Sequence, residues 1–278
     1  MESMTNAPYL LKKHRSGARI GHDTAYDHMF LDGLEDAYEP GRAMGTFAQD
    51  TANDYQLTRE EMDAYSIESL ARANAAIASG AFADEIVPVT IAGRGGEVVV
   101  EHDEAPSKGR PDKIPQLKPA FAKDGTITAA TSSSISDGAA AVVLTRQSVA
   151  EAKGLTPVAR IVAAAAHAQT PALFTTAPIP AIRKVLDKAG WSVEDVDLFE
   201  VNEAFACVAM FAMRDLGIAH DKINVNGGGT ALGHPIGASG TRIIVTLLNA
   251  LKQQGKKRGV ASLCIGGGEA TAIAVELV

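Results

Sequence analysis

Residues 224–240 read NVNGGGTALGHPIGASG, and a second glycine-rich stretch at residues 263–268 reads LCIGGG. Each stretch holds one reactive side chain, His234 in the first and Cys264 in the second. Glycine adopts backbone conformations that are closed to other residues, and it lets a substrate come close to main-chain N–H groups. A histidine and a thiol framed in this way indicate acyl chemistry. No residue outside the two stretches has the setting of the nucleophile that such chemistry requires.

The sequence around these stretches alternates between strand and helix patterns. Strands are predicted at residues 158–166, 196–201, 223–225, 259–265 and 271–278, and helices at residues 178–188, 203–216 and 239–254. The order β-α-β-α-β-α-β-β predicts an α/β fold with a mixed, mostly parallel sheet covered by helices. The last two strands meet at Gly266–Gly268 and are expected to form a hairpin. Residues 157–278 are therefore predicted to be one αβ domain.

The first half of the chain has a different pattern. A long helix is predicted over Arg59–Ala78, with Thr58 as N-cap and Glu61 completing a capping box. Short strands are predicted at residues 86–89 and 98–100, a loop at residues 101–119 and a strand at residues 135–145. This half is expected to be an excursion of loops and helices.

Composition excludes several classes of protein. The chain has 278 residues, of which 46% are hydrophobic and 21% charged, which is ordinary for a folded soluble protein. The formal charge is −7 without a basic cluster, so nucleic-acid binding has little support. No apolar run approaches the ~20 residues that span a bilayer, so no membrane partner is expected. The two cysteines have no metal-ligand spacing, which predicts no metal site and favours free thiols in the cytoplasm.

Asn202 and His234 each allow two interpretations. Asn202 lies where a strand ends and a helix begins, so its side chain either caps the helix or holds a water or carbonyl oxygen. A lone histidine in a loop is more often a surface residue. The glycines around His234 favour instead an acid or base near neutral pH.

The two cysteines have different settings. A cysteine in an apolar strand is usually a core residue, but Cys264 is followed by glycines whose N–H groups offer an oxyanion hole. Beside a histidine, such a thiol is expected to ionise and to move protons. Cys207 lies within the predicted apolar helix FACVAMFAM and is interpreted as a core residue.

Three motifs in order carry a family resemblance. They are NEAF at 202–205, NGGGTALGHPIGASG at 226–240 and CIGGG at 264–268. Together they resemble the thiolase family, close to the acetyl-CoA acetyltransferases. MESMTNAPYLL, KPAF at 118–121, SDGAAAVVL and GGGEATAIAVEL match in register, so the resemblance extends from Met1 to Val278. It implies a thiolase-like fold and an acyltransferase that uses coenzyme A as substrate and needs no cofactor.

The resemblance also implies roles for four catalytic residues. Cys264 corresponds to the second thiolase cysteine, the acid and base of the condensation step. His234 corresponds to the histidine that activates the nucleophile and donates to the thioester oxygen of acetyl-CoA. Asn202 would orient the water that completes this first oxyanion hole. The N–H of Gly266 would contribute to a second oxyanion hole.

Coenzyme A is expected to bind along the first half of the chain. By the resemblance, Met44, Ser133 and Phe205 line the channel for the pantetheine arm. Lys108 and Arg110 lie where relatives place a cation near the nucleotide phosphates.

The resemblance further predicts that part of a thiolase is absent. Thiolases have two similar αβ halves, and Met1 aligns with an internal methionine, so a segment of roughly 100 residues is expected to be missing together with the nucleophilic cysteine. Residues 1–134 would form the loop domain that binds coenzyme A. Residues 135–156 would form the final strand and helix of the mostly missing N-terminal half. The chain alone is expected to be inactive, and its expected partners are acyl-CoA substrates, copies of itself and a separate N-terminal-half polypeptide.

Two other functions stay open from the residues themselves. One is a non-catalytic module that binds acyl-CoA or a partner subunit, although the joint presence of Asn202, His234 and Cys264 favours an enzyme. The other is a hydrolase with Cys264 as its own nucleophile, which is disfavoured because no acidic residue is evident to orient His234. Acyl chain length stays open as well, since Ala43 stands where some relatives have a histidine.

Overall fold

The secondary structure of all 278 residues is described by a computed structural model. The helices are α1 (Met44–Asp54), α2 (Arg59–Ser79), α3 (Glu104–Lys108), α4 (Gln147–Ala152), α5 (Pro178–Ala189), α6 (Ala206–Leu216), α7 (Gly229–Leu232) and α8 (Ile236–Gln253). The strands are β1 (Glu2–Ser3), β2 (Tyr9–Leu10), β3 (Tyr26–Asp27), β4 (Val89–Gly93), β5 (Gly96–Val100), β6 (Asp137–Gly138), β7 (Ala159–Ala168), β8 (Leu198–Val201), β9 (Arg258–Ile265) and β10 (Glu269–Leu277). None of the helices has both the length and the apolar character that crossing a bilayer requires.

The C-terminal part contains a four-stranded sheet in the order β7-β10-β9-β8. The predicted hairpin is confirmed, because β10 pairs antiparallel with β9 across the three-glycine turn. The mixed sheet is confirmed too, but the expectation of a mostly parallel one is wrong. Strand β10 is antiparallel to both of its neighbours, and only β8 and β9 run parallel. The strand predicted at residues 223–225 is reduced to a single bridge between Phe199 and Ile223.

Helices cover the two faces of this sheet and provide most of the core. Helix α8 packs on β8 and β9, whereas α5 packs on β7 and β10. Helices α5 and α6 end where predicted, each at a glycine in the left-handed conformation (Gly190 and Gly217). The largest buried cluster joins α5, α6 and the sheet to α1 and α2, so the two halves of the chain share one core.

The first half is dominated by α2, which confirms the predicted long helix. Its capping box is present: the Thr58 side chain accepts from the backbone N–H of Glu61, and the Glu61 carboxylate accepts from the N–H of Thr58 at 2.8 Å. The predicted strands at 86–89 and 98–100 are shifted, because the hairpin of β4 and β5 spans residues 89–100. The loop predicted at residues 101–119 contains α3 and a 3-10 helix at Pro111–Gln116, where proline fixes helical φ values.

The strand predicted at residues 135–145 is largely wrong. Only β6 within it is paired, with β1 at the start of the chain. Residues 139–146 have no regular structure, and Val143 and Leu144 are 97% and 72% exposed. A strand needs a partner to be stable, and no strand lies beside this segment. The helix predicted after it is present as α4.

Two lysine side chains from a neighbouring helix bind the main chain of the edge strand β7. Lys184 Nζ donates to the carbonyl of Ala166 at 3.4 Å, and Lys188 Nζ donates to the carbonyl of Ala164 at 2.9 Å. Both lysines belong to α5, which packs on this strand. Charges at an edge strand are a common device against pairing with a further strand.

Candidate active site

One cavity lies at the carboxyl ends of the parallel strands β8 and β9, where open α/β sheets bind ligands. Its volume is about 540 Å³, and most residues that line it are hydrophobic. The sequence-predicted residues that line it are Met44, Ser133, Phe205, His234, Cys264 and Gly266. The fold thus brings together six side chains or backbone positions that lie far apart in the sequence.

The hydrogen bonds of His234 define which ring nitrogen carries a proton. Nδ1 lies 2.6 Å from the hydroxyl oxygen of Ser239, and this hydroxyl donates to the carbonyl of Pro235 at 2.9 Å. Because a hydroxyl has one proton, it must accept from Nδ1–H, so Nε2 of a neutral ring is unprotonated. Nε2 lies 3.3 Å from Asn202 Nδ2 and is therefore the proton-accepting atom.

The surroundings of His234 favour its neutral form. Its burial, together with the positive charge of Arg242, lowers its pKa from 6.5 to about 4. At neutral pH the ring therefore starts as a base, and it becomes an acid only after it has taken a proton. Ser239 orients it, whereas sequence reasoning looked only for an acidic residue in this role.

Asn202 does not cap the following helix. Helix α6 begins at Ala206, and its N-cap is Phe205 without a side-chain hydrogen bond. The Asn202 side chain is 1% exposed, its Nδ2 faces His234, and its Oδ1 has no protein partner. A buried acceptor without a partner is suited to an ordered water. Of the two interpretations offered by the sequence, the structure leaves the one that holds a water or carbonyl oxygen.

The surroundings of Cys264 favour the neutral thiol over the thiolate. It is 7% exposed, and burial raises its pKa to about 12. No charged group offsets this burial, so the surroundings of Cys264 do not support the expectation that a neighbouring histidine ionises the thiol. Cys207 is fully buried in α6 and does not line the cavity, which confirms it as a core residue.

The glycines of the two stretches meet different neighbours. A Cβ on Gly228 would overlap the carboxylate of Glu203, and one on Gly229 would lie 2.8 Å from the Glu203 carbonyl oxygen. The expectation that this run admits a substrate is therefore wrong, since it admits protein atoms. Gly266 does line the cavity, where a Cβ would lie 2.8 Å from the sulfur of Met44. The Gly266 N–H donates to no backbone oxygen.

Two predicted coenzyme A contacts lie outside the cavity. Lys108 is exposed on α3 and forms an ion pair with Glu104 at 2.5 Å. Arg110 points towards the carbonyl of Gly109 at 3.4 Å. The structure does not bring either cation to the catalytic residues, so their contact with phosphates stays a prediction.

Sequence reasoning missed two aromatic walls of the cavity. Phe121 and Phe174 pack edge-on against Phe205, with ring centroids 5.9 Å and 6.5 Å away. Phe121 belongs to the KPAF motif, which was a usable signal. Phe174 lies in the 3-10 helix Pro171–Thr176 and has no such signal.

Comparison with known proteins gives concordant matches along the chain. The sequence model of the thiolase N-terminal domain matches residues 1–148, and that of the thiolase C-terminal domain matches residues 155–277. A probable acetyl-CoA acetyltransferase of Dictyostelium discoideum is 50% identical over 276 residues, which cover 99% of this chain and 66% of that protein. The acetyl-CoA acetyltransferase of Escherichia coli strain K12 is 48% identical over 278 residues, or 99% and 70% of the two chains.

Solved structures agree with these matches. The Bacillus anthracis acetyl-CoA acetyltransferase has a TM-score of 0.95 and 44% identity, with 100% of this chain and 70% of that chain covered. The Acat5 thiolase from Ascaris suum, solved in complex with coenzyme A, has a TM-score of 0.92 and 42% identity, with the same shares covered.

The matches also bear on the expected absence of an N-terminal half. This chain spans 66% to 70% of the length of these relatives. Residues 1–148 match the N-terminal domain, however, so the expectation that this half is mostly missing is not supported. The two domain matches together cover nearly all of the 278 residues. With both thiolase domain models matched in order, the chain belongs to the thiolase family, as its motifs predict.

Proposed function

We propose that the chain takes part in acyl-CoA C-acyltransferase chemistry of the thiolase type and supplies the residues of its proton-transfer step. The reaction is the condensation of two acetyl-CoA molecules to acetoacetyl-CoA, or the cleavage of a 3-ketoacyl-CoA by coenzyme A. The observation that carries the proposal is the meeting of His234, Cys264 and Gly266 at one apolar cavity, with Asn202 against His234. The names of the relatives and the coenzyme A complex of the Ascaris protein support acyl-CoA as the substrate class.

The central step is the removal of a proton from C2 of acetyl-CoA. Cys264 as thiolate takes this proton, and the electron pair of the C–H bond becomes the enolate. The enolate oxygen needs hydrogen-bond donors as its charge forms, and each such donor lowers the barrier by about 3–4 kcal/mol. A water held by Asn202 and the ring of His234, once protonated at Nε2, supply these donors.

The protonation state of Cys264 before the reaction suits the cleavage direction. With a pKa of about 12, Cys264 is a thiol and therefore a proton donor to the carbanion that leaves during cleavage. For condensation the thiol must first pass its proton to a base, and the neutral ring of His234 at the same cavity is available as that base. His234, whose pKa of about 4 keeps it neutral, is a base for the attacking thiol that takes the acyl group.

Within this chain Cys264 is the only thiol at the cavity. We therefore propose that these 278 residues alone catalyse the proton-transfer step without net acyl transfer. The Gly266 N–H is assigned to the second oxyanion hole, around the acyl group on the nucleophile. Met44, Ser133 and Phe205 are assigned to the pantetheine arm.

The remaining proposals concern organisation and partners. Residues 1–134 act as the coenzyme A-binding loop domain, residues 135–156 as the end of the N-terminal region and residues 157–278 as the C-terminal domain. Lys108 and Arg110 are proposed to contact the nucleotide phosphates from the surface. A homo-oligomer in the cytoplasm, or assembly with a polypeptide that supplies a nucleophile, is part of the same proposal.

Proton exchange at the methyl group of acetyl-CoA in D2O tests the central step. Loss of the methyl signal in ¹H NMR is expected with the wild type. Since general acid–base groups contribute about 10²–10⁴-fold, Cys264→Ala is expected to lower the rate by about 10³-fold. Cys207→Ala removes the other thiol and is expected to leave the rate unchanged. Equal rates in wild type and Cys264→Ala would contradict the assignment.

A non-catalytic module that binds acyl-CoA is the second candidate. The observation that favours it is the burial of the Cys264 thiol, which disfavours the thiolate that proton removal requires. Binding of acetyl-CoA measured by calorimetry, together with no exchange of the methyl protons, would establish this candidate instead.

A further inference from the structure

A fully buried carboxylate lies directly beside the cavity, and the mechanism above does not use it. Glu203 has no exposed surface and accepts five hydrogen bonds. Its Oε1 accepts from the Tyr65 hydroxyl at 2.8 Å and from Asn224 Nδ2 at 2.8 Å. Its Oε2 accepts from the Ser69 hydroxyl at 2.9 Å, and from the hydroxyl and N–H of Thr230 at 2.6 and 3.1 Å.

These five bonds join three parts of the molecule. Tyr65 and Ser69 lie on α2 in the first half of the chain. Asn224 and Thr230 lie on the segment that leads to His234. Glu203 itself directly follows Asn202. The carboxylate therefore ties α2 to both residues that form the 3.3 Å contact between Asn202 Nδ2 and His234 Nε2.

The glycine run at residues 227–229 is built around this carboxylate. A Cβ on Gly227 would lie 2.6 Å from the carbonyl oxygen of Ser69, and the φ of this glycine is +81°. A Cβ on Gly228 would overlap the Glu203 carboxylate, and its N–H donates to the Ser69 hydroxyl at 3.0 Å. The loop that presents His234 thus reaches its position only by close approach to Glu203 and α2.

The groups that donate hydrogen bonds to Glu203 require both of its carboxylate oxygens to act as acceptors. Asn224 cannot turn its amide, because its Oδ1 accepts from the N–H of Val201 at 2.9 Å and its Nδ2 donates to the Val201 carbonyl at 2.9 Å. Asn224 therefore offers an N–H group to Oε1, and the main chain of Thr230 offers an N–H group to Oε2. An amide in place of the carboxylate would direct its own NH₂ at one of these two donors.

We propose that Glu203 is a positioning residue for the catalytic site. Its carboxylate holds Asn202 and His234 at the separation and orientation that the oxyanion hole requires, and it couples them to α2. This inference rests on the proposed function, because it assigns a role for the site in proton exchange. Glu203 touches no substrate and acts only through its two neighbours.

The main variant is Glu203→Gln, which keeps size and shape but places one donor against another. A displacement of about 1 Å at a reacting group lowers rates by about 100-fold, so the saturating rate of methyl-proton exchange is expected to fall by that factor. The acetyl-CoA concentration that gives half of this rate is expected to stay within about twofold, since the bonds of Glu203 lie outside the cavity.

Two further variants accompany it. Thr230→Val removes the 2.6 Å hydroxyl bond, keeps the carboxylate and the N–H, and is expected to lower the rate by about tenfold, the equivalent of one hydrogen bond. It decides the question if Glu203→Gln does not fold, as judged by circular dichroism and thermal melting. Glu85→Gln is the matched control: Glu85 is a half-buried carboxylate that accepts from Thr246 and Asn249 and shares no hydrogen bond with Glu203, Asn202 or His234, and the rate of this variant is expected to equal that of wild type.

A second readout does not depend on activity. The ¹⁵N signals of the His234 ring, assigned by their loss in His234→Asn, are expected to shift in Glu203→Gln and in Thr230→Val but not in Glu85→Gln. Wild-type rates and unshifted signals in the first two variants would overturn the positioning role. If the wild type itself does not exchange methyl protons, the proposed function fails, and the His234 signals alone decide whether Glu203 positions the ring.

Discussion

The segment that leads to His234 and the turn that follows Cys264 are similar in sequence but use their glycines differently. In the first, Gly228 makes room for a side chain of the protein, the carboxylate of Glu203, and not for a ligand. In the second, Gly266 borders the cavity beside Met44 and keeps a free N–H. Glycine thus gives rigid packing at one loop and access at the other. The two uses can be distinguished by the atoms that a Cβ added to each glycine would contact. They cannot be distinguished from the glycine motif alone.

The largest expected difference between the two loops is in pH dependence. The pKa of His234 is lowered from 6.5 to about 4, so between these values the unfolded chain binds a proton at this residue and the folded chain does not. The contribution of His234 to folding is therefore complete above pH 6.5 and is lost as pH falls towards 4, by up to about 3 kcal/mol. Urea unfolding of wild type and His234→Asn at several pH values measures it.

Wild type must be compared with His234→Asn because Glu200 changes the free energy of unfolding with pH in the opposite direction. Burial raises the pKa of Glu200 to about 8, so its contribution decreases as pH rises from 4.5 to 8 in both proteins. Cys264→Ser supplies the comparison with the other loop. A thiol with a pKa of about 12 does not titrate in this range, so its pH profile is expected to run parallel to that of wild type. A constant difference between wild type and His234→Asn would refute the prediction.

Replacing one glycine of each loop by alanine is expected to give the next largest difference, in the free energy of unfolding. Gly228→Ala places a methyl group against a carboxylate held by five hydrogen bonds, and such overpacking is expected to lower the free energy of unfolding by about 2 kcal/mol. Gly266→Ala meets the flexible thioether of Met44, which can turn away, so stability is expected to change by less than about 0.5 kcal/mol. Urea titration of both variants tests this, and equal losses of stability would mean that the two loops do not differ.

Ser239→Ala is expected to give the smallest effect on activity. It removes the acceptor that keeps the proton of His234 on Nδ1. Loss of one such hydrogen bond corresponds to about tenfold in rate, read from methyl-proton exchange. Ser136→Ala, which removes a hydroxyl bonded to Ser134 rather than to the ring, serves as control. A Ser239→Ala rate equal to that of this control would show that the hydroxyl does not define the tautomer.

Local signals made much of the fold predictable. The capping box at Thr58 and Glu61 and the glycine ends of α5 and α6 mark helices through bonds within a few residues, and the structure has them. Strands were less predictable because their pairing is remote. The apolar residues 141–144 look like a strand but have no partner, and the antiparallel pairing of β10 with the distant β7 is one that no local pattern reveals.

The reactive residues of the site were predictable from the sequence, but the residues that position them were not. His234, Cys264 and Asn202 were found because they lie within motifs. Glu203 belongs to the same motif, but its role depends on Tyr65, which lies 138 positions earlier in the chain. The low pKa of His234 and the high pKa of Cys264 are likewise products of burial, which no spacing of residues contains.

The two lysines of α5 that bind the carbonyls of β7 oppose the pairing of this edge strand with another chain. Edge pairing through β7 would have to displace two ammonium groups from the carbonyls of Ala164 and Ala166. At the other end of the sheet, β8 already has Ile223 against it. The exposed apolar side chains Val143 and Leu144 offer a different route. Any self-association through these side chains would be driven by the hydrophobic effect, so it would strengthen on warming and in sulfate, whereas screening of charges would leave it largely unaffected.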